Sequence, residues 1–366
     1  MQKHKIDLGY AASLLLSIAL AFLIGALILT VSGHAPLNAY TEMVKGSLSN
    51  ARHIGDTLEY AMVLCICGLA CAVGSRAGIF NVGGEGQLLL GAVVAAQVGV
   101  AMEGSPKIVV IVCAALAAMA MGGAYAFVPG VLKVKLKVNE VITTIMLNTV
   151  AIYICQYLAK GPWRNSNPNI IAGTENLAQG YWLARPIAGS KLSSAIFASA
   201  VIAFLVWYIM QKTSVGYEMR LTGQNPRFAR FAGLKTDTIV ILAMLVSGAM
   251  CGAVGMFRVY GAEHIFKSSI SNEYYFDGMM VAMITQYNPA GIILMSLFFA
   301  FLKIGAAGME ANAGVPNQIY LILQTVIIFF MAAQRGIAAS VRAAAAKRTA
   351  QKEARARLAE GGARNG

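Results

Sequence analysis

Ala77-Gly78-Ile79-Phe80-Asn81-Val82-Gly83-Gly84-Glu85-Gly86-Gln87 lies between two uncharged apolar stretches, residues 61–75 and 86–102. Its four glycines and three polar side chains, Asn81, Glu85 and Gln87, interrupt a sequence that is otherwise apolar on both sides. Backbone of this kind survives at membrane depth only where it is buried in protein or lines a cavity. Two readings are open. In the first, the stretch breaks a span into short helices, with Asn81 capping the following one and Glu85 complementing its N-terminal dipole. In the second, it is a plain cytoplasmic turn whose small residues serve packing.

Both readings require the flanking stretches to be membrane spans, and the rest of the chain supports that. Of 366 residues, 58% are hydrophobic and 12% charged, whereas a globular domain carries about 25% charged residues. Uncharged runs occupy 8–41, 61–75, 86–102, 108–132, 141–159, 192–211, 238–257, 278–302 and 311–334. A spanning helix needs roughly 20 apolar residues, with about 17 as the lower limit. Leu8 to Val31 is too long for the apolar part of a cleaved signal peptide, about 7–15 residues, and reads as a retained first helix. The six cysteines, Cys65, Cys67, Cys71, Cys113, Cys155 and Cys251, all lie inside apolar runs and read as small buried hydrophobes.

Lys and Arg mark the cytoplasmic side of a membrane protein. Lys3 and Lys5 precede the first run, and eight basic residues follow residue 334. Both termini therefore read as cytoplasmic, which requires an even number of crossings. The run 278–302 contains Tyr287-Asn288-Pro289, and proline breaks a helix. It divides into a short eighth segment, about Phe276 to Gln286, and a ninth, about Ala290 to Lys303. The expected fold is an all-α integral membrane protein of about ten segments. Residues 1–335 form the transmembrane domain, 212–236 a cytoplasmic loop within it, and 336–366 a basic cytoplasmic tail. The inside loops then hold 19 of the 29 basic residues and the outside loops 9. The outer loop 160–192 offers Trp163 and Trp182 as interfacial anchors. The tail reads either as a contact for anionic lipid or as a solvated, partly frayed helix. The net charge of +13 follows the positive-inside pattern, so no nucleic-acid polymer is expected as a partner.

Three further places carry polar groups. Glu140, Thr144 and Asn148 fall at i, i+4 and i+8 behind Asn139, one polar stripe on an otherwise apolar helix. Such a stripe glues helices or lines a path. Tyr274-Tyr275-Phe276-Asp277-Gly278 opens the short eighth segment, matching the 86–102 region in being short and glycine-flanked. Segments 2–5 and 7–10 run in opposite directions, and paired broken segments in inverted halves point to a substrate site near the midplane. The third place is cytoplasmic. Asn225 is a good N-cap, Pro226 suits the first helical position and Gly233 the C-terminal stop, which specifies about two turns of helix. Phe228 and Phe231 share one face and Arg227 and Arg230 another. Two phenylalanines on a loop serve either a docking partner or the underside of the bundle.

These motifs together resemble the permeases of ABC importers for nucleosides and simple sugars, the group related to ribose and branched-chain amino acid permeases, and most closely the nucleoside branch. The family pattern Gly-Ile-Phe-Asn-Ile-Gly-x-Glu-Gly-Gln stands here as Gly78 to Gln87, and Glu-Val-Ile-x-Thr-Ile-Met-Leu-Asn as Glu140 to Asn148. The Gly-x-Asn-Pro loop helix stands at Gly223 to Gly233 with slightly shifted spacing. Phe-Asp-Gly stands at Phe276 to Gly278 with Asn288-Pro289 beyond it, and an early Gly-His-x-Pro pattern at Gly33 to Tyr40. Asn139 stands where relatives often have His, which bears on substrate preference. Phe228 stands where a small residue is commoner, which bears on the fit to the ATPase.

The resemblance implies a bacterial inner-membrane permease working by alternating access. It implies a cytoplasmic ABC ATPase as partner, gripping residues 224–233, a second permease subunit, an external substrate-binding lipoprotein, and contact with membrane lipid. Phe80, Asn81, Glu85, Gln87, Asn139, Glu140, Thr144, Asn148, Phe276 and Asp277 are the expected substrate-path residues. The chain has no Gly-x4-Gly-Lys-Ser/Thr loop, so ATP and magnesium belong to the partner ATPase and no cofactor is expected here. The expected substrate is a nucleoside, with ribose or another simple sugar as the alternative. A secondary transporter driven by ions would rest on Glu85, Glu140 and Asp277. No catalytic or metal-ligating constellation suggests an enzyme.

Overall fold

The computed structural model describes residues 8–316 together with 318, 319, 321, 322, 324–326 and 329. No strand occurs among them, and the one isolated bridge joins Gly173 to Lys267. The expected N-terminal lysines, part of the expected tenth segment and the basic tail lie outside the described residues.

The chain divides into two compact units, residues 1–41 with 309–366, and residues 42–308. In the first, α1 (Leu8–Val31) turns at Gly33 into α2 (Pro36–Leu48), which crosses into the second unit. Tyr40 donates to the Phe22 carbonyl at 2.7 Å and their rings meet edge to face. His34 Nε2 lies 3.2 Å from the Gly314 carbonyl oxygen. Residues 32–57, expected as an outer loop, thus hold α2 and about the first two turns of the next helix. Asn50 starts that helix by accepting from the His53 amide at 2.9 Å.

The second unit continues with α3 (Ala51–Arg76), α4 (Gly84–Ala101), α5 (Lys107–Leu136), α6 (Glu140–Lys160), α7 (Ala195–Lys212), α8 (Ser214–Gln224), α9 (Pro226–Phe231), α10 (Thr236–Phe257), α11 (Tyr274–Ile284) and α12 (Pro289–Ala313). A π-helical turn, Arg258–Glu263, prolongs α10. Among the described residues, seven helices are long and apolar enough to span a membrane: α3, α4, α5, α6, α7, α10 with its π-turn, and α12. The bent α1–α2 pair raises the number to eight. The expected count was ten. At 11 residues, α11 reaches about 17 Å, too short to cross alone.

Several boundaries shift for local reasons. The expected cytoplasmic loop 129–138 is helical through Leu136, with Pro129 buried inside α5. Membrane helices tolerate such a proline because neighbouring groups satisfy the freed carbonyl. The helix stops at Lys137, in the left-handed region at φ 56°. Tyr287-Asn288-Pro289 does break the run 278–302, with Gln286 and Tyr287 both at positive φ. Trp182, expected as an interfacial anchor, instead stacks on His264 at 3.7 Å and donates to the Leu177 carbonyl at 2.9 Å.

Close helix approach organises the core of this unit. α10 packs on α4 and α5, while α11 packs on α3. A Cβ on Gly91 would lie 2.5 Å from Gly252 Cα, and one on Gly122 3.0 Å from the same atom. Hydrocarbon supplies no hydrophobic drive between helices, so small residues that let backbones meet do the holding. The spans differ in burial accordingly: 89% of the α3 window is buried within the protein, against 22% for α6.

Candidate functional site

The break between α3 and α4 is held in a knot of hydrogen bonds. Asn81 is fully buried. Its Nδ2 donates to Gln87 Oε1 and Ser247 Oγ, both at 2.9 Å, and its Oδ1 accepts from the Gly83 amide at 2.9 Å. Gly83, with no side chain to offer, occupies the N-cap of α4 itself. Asn81, the expected cap, therefore lies two residues before the actual cap position and closes the loop rather than the helix.

The polar stripe of α6 holds the same loop from the other side. Asn148 donates to the Val82 carbonyl at 2.8 Å and accepts from the Gly86 amide at 2.9 Å. Thr144 Oγ accepts from the Val82 amide at 3.3 Å. Buried backbone amides and carbonyls without partners cost several kcal/mol each, so these two side chains make the irregular loop tolerable where it is buried. Glu140, the first residue of the expected stripe, and Asn139 before it do something else. Asn139 is exposed and caps α6, accepting from the Val141 amide at 2.9 Å. Glu140 pairs with Lys133 at 2.6 Å, part-exposed.

The first turn of α11 meets the first turn of α4. Glu85, 5% exposed, accepts from the amides of Glu273 and Tyr275, each at 3.2 Å. It thus belongs to the first turn of one short helix and satisfies the amides opening the other. The Tyr275 hydroxyl closes the junction by donating to the Asn81 carbonyl, and its ring fills the space where a Cβ on Gly84 would lie. Two helix N-termini converge on one carboxylate, an arrangement that concentrates positive partial charge beside a single anion. Phe80 and Phe276 are half-buried beside this junction.

A second cluster adjoins it. Asp277 accepts from the Tyr60 hydroxyl at 3.0 Å, and the Tyr60 ring meets that of Tyr274 edge to face. Arg258 lies with its guanidinium carbon 4.9 Å from the Tyr274 centroid; it pairs with Glu59 and reaches Glu263 at 3.0 Å. Arg258 and Glu59 are each 4% exposed. The sequence alone gave Arg258 and Glu59 no role, because each stands at the edge of an uncharged run. The π-turn carries the helix past Arg258 and pulls it inside. π-turns recur at functional positions, and a buried pair of this kind leaves a costly lone charge if one partner is removed.

On the loop between α8 and α10, Asn225 accepts from the Phe228 amide at 3.0 Å, Pro226 takes the first helical position, and Gly233 follows the helix at φ 84°. Ala229 faces inward, fully buried, whereas Phe228 is 56% and Phe231 90% exposed. Arg230 donates to Asp237 at 2.7 Å and Thr236 at 2.9 Å, while Arg227 is exposed. The loop presents two aromatic rings outward from a helix pinned at both ends.

Comparison with known proteins places this architecture. Residues 53–332 match the family described as the permease component of the branched-chain amino acid transport system. The guanosine ABC transporter permease protein NupP of Bacillus subtilis is 31% identical, over 88% of this chain and 93% of its own. The nucleoside ABC transporter permease protein NupB of Lactococcus lactis is 30% identical, over 87% of this chain and 89% of its own. The glucose ABC transporter permease protein TsgB13 of Haloferax volcanii is 31% identical, over 86% and 85%. No solved structure matches. With three quarters of its length inside the family match, this chain belongs to the ABC transporter permeases of the branched-chain amino acid transport type.

Proposed function

We propose that this chain is the substrate-translocating subunit of an ATP-driven nucleoside importer, working by alternating access. The observation that carries the coupling to ATP is the capped helix α9 with Phe231 90% exposed. A free aromatic pair on a rigid two-turn helix suits capture in a groove of a separate cytoplasmic ATPase. The apolar outer faces of α5, α6 and α7 suit a second permease subunit and lipid. An external binding protein delivers substrate in this scheme.

Ten segments in inverted halves, the short α11 among them, are the arrangement this reading adopts, with both termini cytoplasmic. The cross-packing of α4 on α10 and of α11 on α3 supports it, since each short helix leans on the long helix of the opposite half. Phe80, Phe276 and the junction around Glu85 and Asp277 would then border the path when the two short helices part.

Nucleosides are the substrate class because two relatives of about 30% identity over most of the chain are named for guanosine and nucleosides. The sugar reading retains support from the glucose permease at 31%. The deciding measurement is ATP-dependent uptake of labelled nucleosides into vesicles holding the chain with its co-purifying subunits, with ribose and glucose as competitors. Uptake that the sugars do not inhibit is expected. Labelled sugar entering in place of nucleoside would transfer the chain to the sugar class.

A further inference from the structure

The end of α8 touches the loop between α3 and α4 directly. Gly223 is the second-last residue of α8, two positions before the Asn225 cap of α9. A Cβ placed on Gly223 would collide with the Arg76 carbonyl oxygen and lie 3.0 Å from the Gly78 nitrogen. One placed on Gly78 would lie 3.0 Å from Gly223 Cα. Main chain therefore meets main chain, with no side chain between. Gly78 sits at φ 82° as well, which favours glycine there on two counts.

The same point reaches the other short helix. Arg76, whose carbonyl abuts Gly223, sends Nη2 to the Tyr287 carbonyl at 3.1 Å, in the turn that ends α11. One patch of backbone beneath the protein thus joins three things: the residue just before the exposed helix α9, the entry to α4, and the exit from α11. Behind it, Met219 and Thr222 are buried and fix α8 in place.

A second main-chain contact, Gly216 against the Ile209 and Met210 carbonyls, joins α8 to the end of α7 and not to the α3–α4 loop. Two side-chain routes also lead from this region into the spans, and both are softer. Arg230 reaches Asp237 and Thr236 at the start of α10, but the Arg230 and Asp237 side chains are each more than half exposed. Exposed pairs between long side chains yield easily. Arg220 donates to the Met210 carbonyl at the end of α7, again through a flexible side chain. Close-packed backbone does not absorb displacement in that way, because the interior has little free volume and low compressibility.

We propose that the Gly223–Gly78 contact is where movement of the ATPase-docking helix enters the substrate-site machinery, with Arg76 as the positioning residue that carries it on to the Tyr287 turn. This rests on the importer reading above. A downstroke of α9 pushes Gly223 against the Arg76–Gly78 backbone. That backbone leads into the Asn81 knot and the first turn of α4. The Arg76–Tyr287 hydrogen bond moves the far end of α11 with it. α4 is thereby displaced at its N-terminal end and α11 at its C-terminal end, on either side of the Glu85 junction they share.

The test uses the complete reconstituted complex, with ATP hydrolysis and nucleoside uptake measured in the same vesicles for Gly223→Ala, Arg76→Gln and Arg76→Lys. Gly223→Ala and Arg76→Gln are expected to capture the ATPase and hydrolyse ATP, while uptake per ATP falls at least about fivefold, the lower end of measured couplings between sites. Arg76→Lys, which restores a donor towards Tyr287, is expected to recover part of that ratio. Unchanged uptake per ATP in Gly223→Ala and Arg76→Gln would overturn the proposal, and so would parallel loss of hydrolysis and uptake. Should Gly223→Ala fail to insert, the Gln and Lys pair at Arg76 decides alone. A wild-type chain that captures no ATPase would overturn the importer reading, and this proposal with it.

Discussion

His264 shows how much a single residue outside the spans can be constrained. It ends the π-turn in the left-handed region at φ 58°, stacks on Trp182, and meets the Arg185 guanidinium at 2.6 Å. Burial, and then the positive charge of Arg185, push its pKa from 6.5 down to about 4, with Glu263 opposing. Below the ordinary value the unfolded chain takes up a proton that the folded protein refuses until about pH 4. Stability is therefore unaffected above about pH 6.5, falls as pH drops from there to about 4, and levels off below. His264→Asn, which tolerates positive φ, is expected to remove this part of the acid sensitivity. Thermal midpoints of the purified protein at pH 7 and pH 4.5 give the measurement. The drop between them should shrink by several degrees in the variant, and an equal drop in both proteins would refute the assignment. Residues of this kind were not legible in the sequence. His264, Arg258 and Glu59 gain meaning from partners far away along the chain; Arg258 and Glu59 stood at the edge of a run and His264 in a loop, where a solvated position was the simpler expectation. Thr144 and Asn148 were legible as a stripe, because helical spacing alone puts them on one face. What they grip, the Val82 and Gly86 backbone, was not.

At the scale of elements, local signals served best. Asn225, Pro226 and Gly233 specify α9 within nine residues, and the helix forms between them as their chemistry dictates. Tyr287-Asn288-Pro289 likewise separated α11 from α12. Signals failed where tertiary surroundings overrule them: Pro129 was read as a loop residue but lies within α5. The exposed face of α9 carries the sharpest expectation at this scale. Phe231→Asp should insert and fold normally, since the ring is 90% exposed and touches little of its own chain. Recovery of the ATPase on purification should fall by more than about tenfold, as for loss of an aromatic anchor at the centre of an interface. Undiminished co-purification would return α9 to a merely structural role.

For the whole molecule, the glycine contacts between α10 and its neighbours set the distance at which the spans are held. Gly252 Cα lies where side chains on Gly91 or Gly122 would have to go. Gly252→Leu is expected to abolish accumulation of full-length protein in the membrane, or to leave it sensitive to protease where the wild type resists. The reason is that α4, α5 and α10 cannot reach their common axis around a branched side chain. Near-normal yield and protease resistance would mean that the three helices tolerate wider spacing than the structure gives them.

Gly84 and Tyr275 occupy one volume between them: the ring stands where the glycine lacks a side chain. The order in which these two positions could change over evolutionary time is therefore fixed. Any side chain arriving first at 84 strikes the ring. A smaller residue arriving first at 275 leaves a void, at a cost comparable to other buried aromatic truncations, roughly 3–5 kcal/mol, and frees the Asn81 carbonyl. Only the second path is passable, and only in a lineage with stability to spare. Descent along it would be visible as chains with a small residue at 275 whose position 84 has since diversified, and never as the reverse.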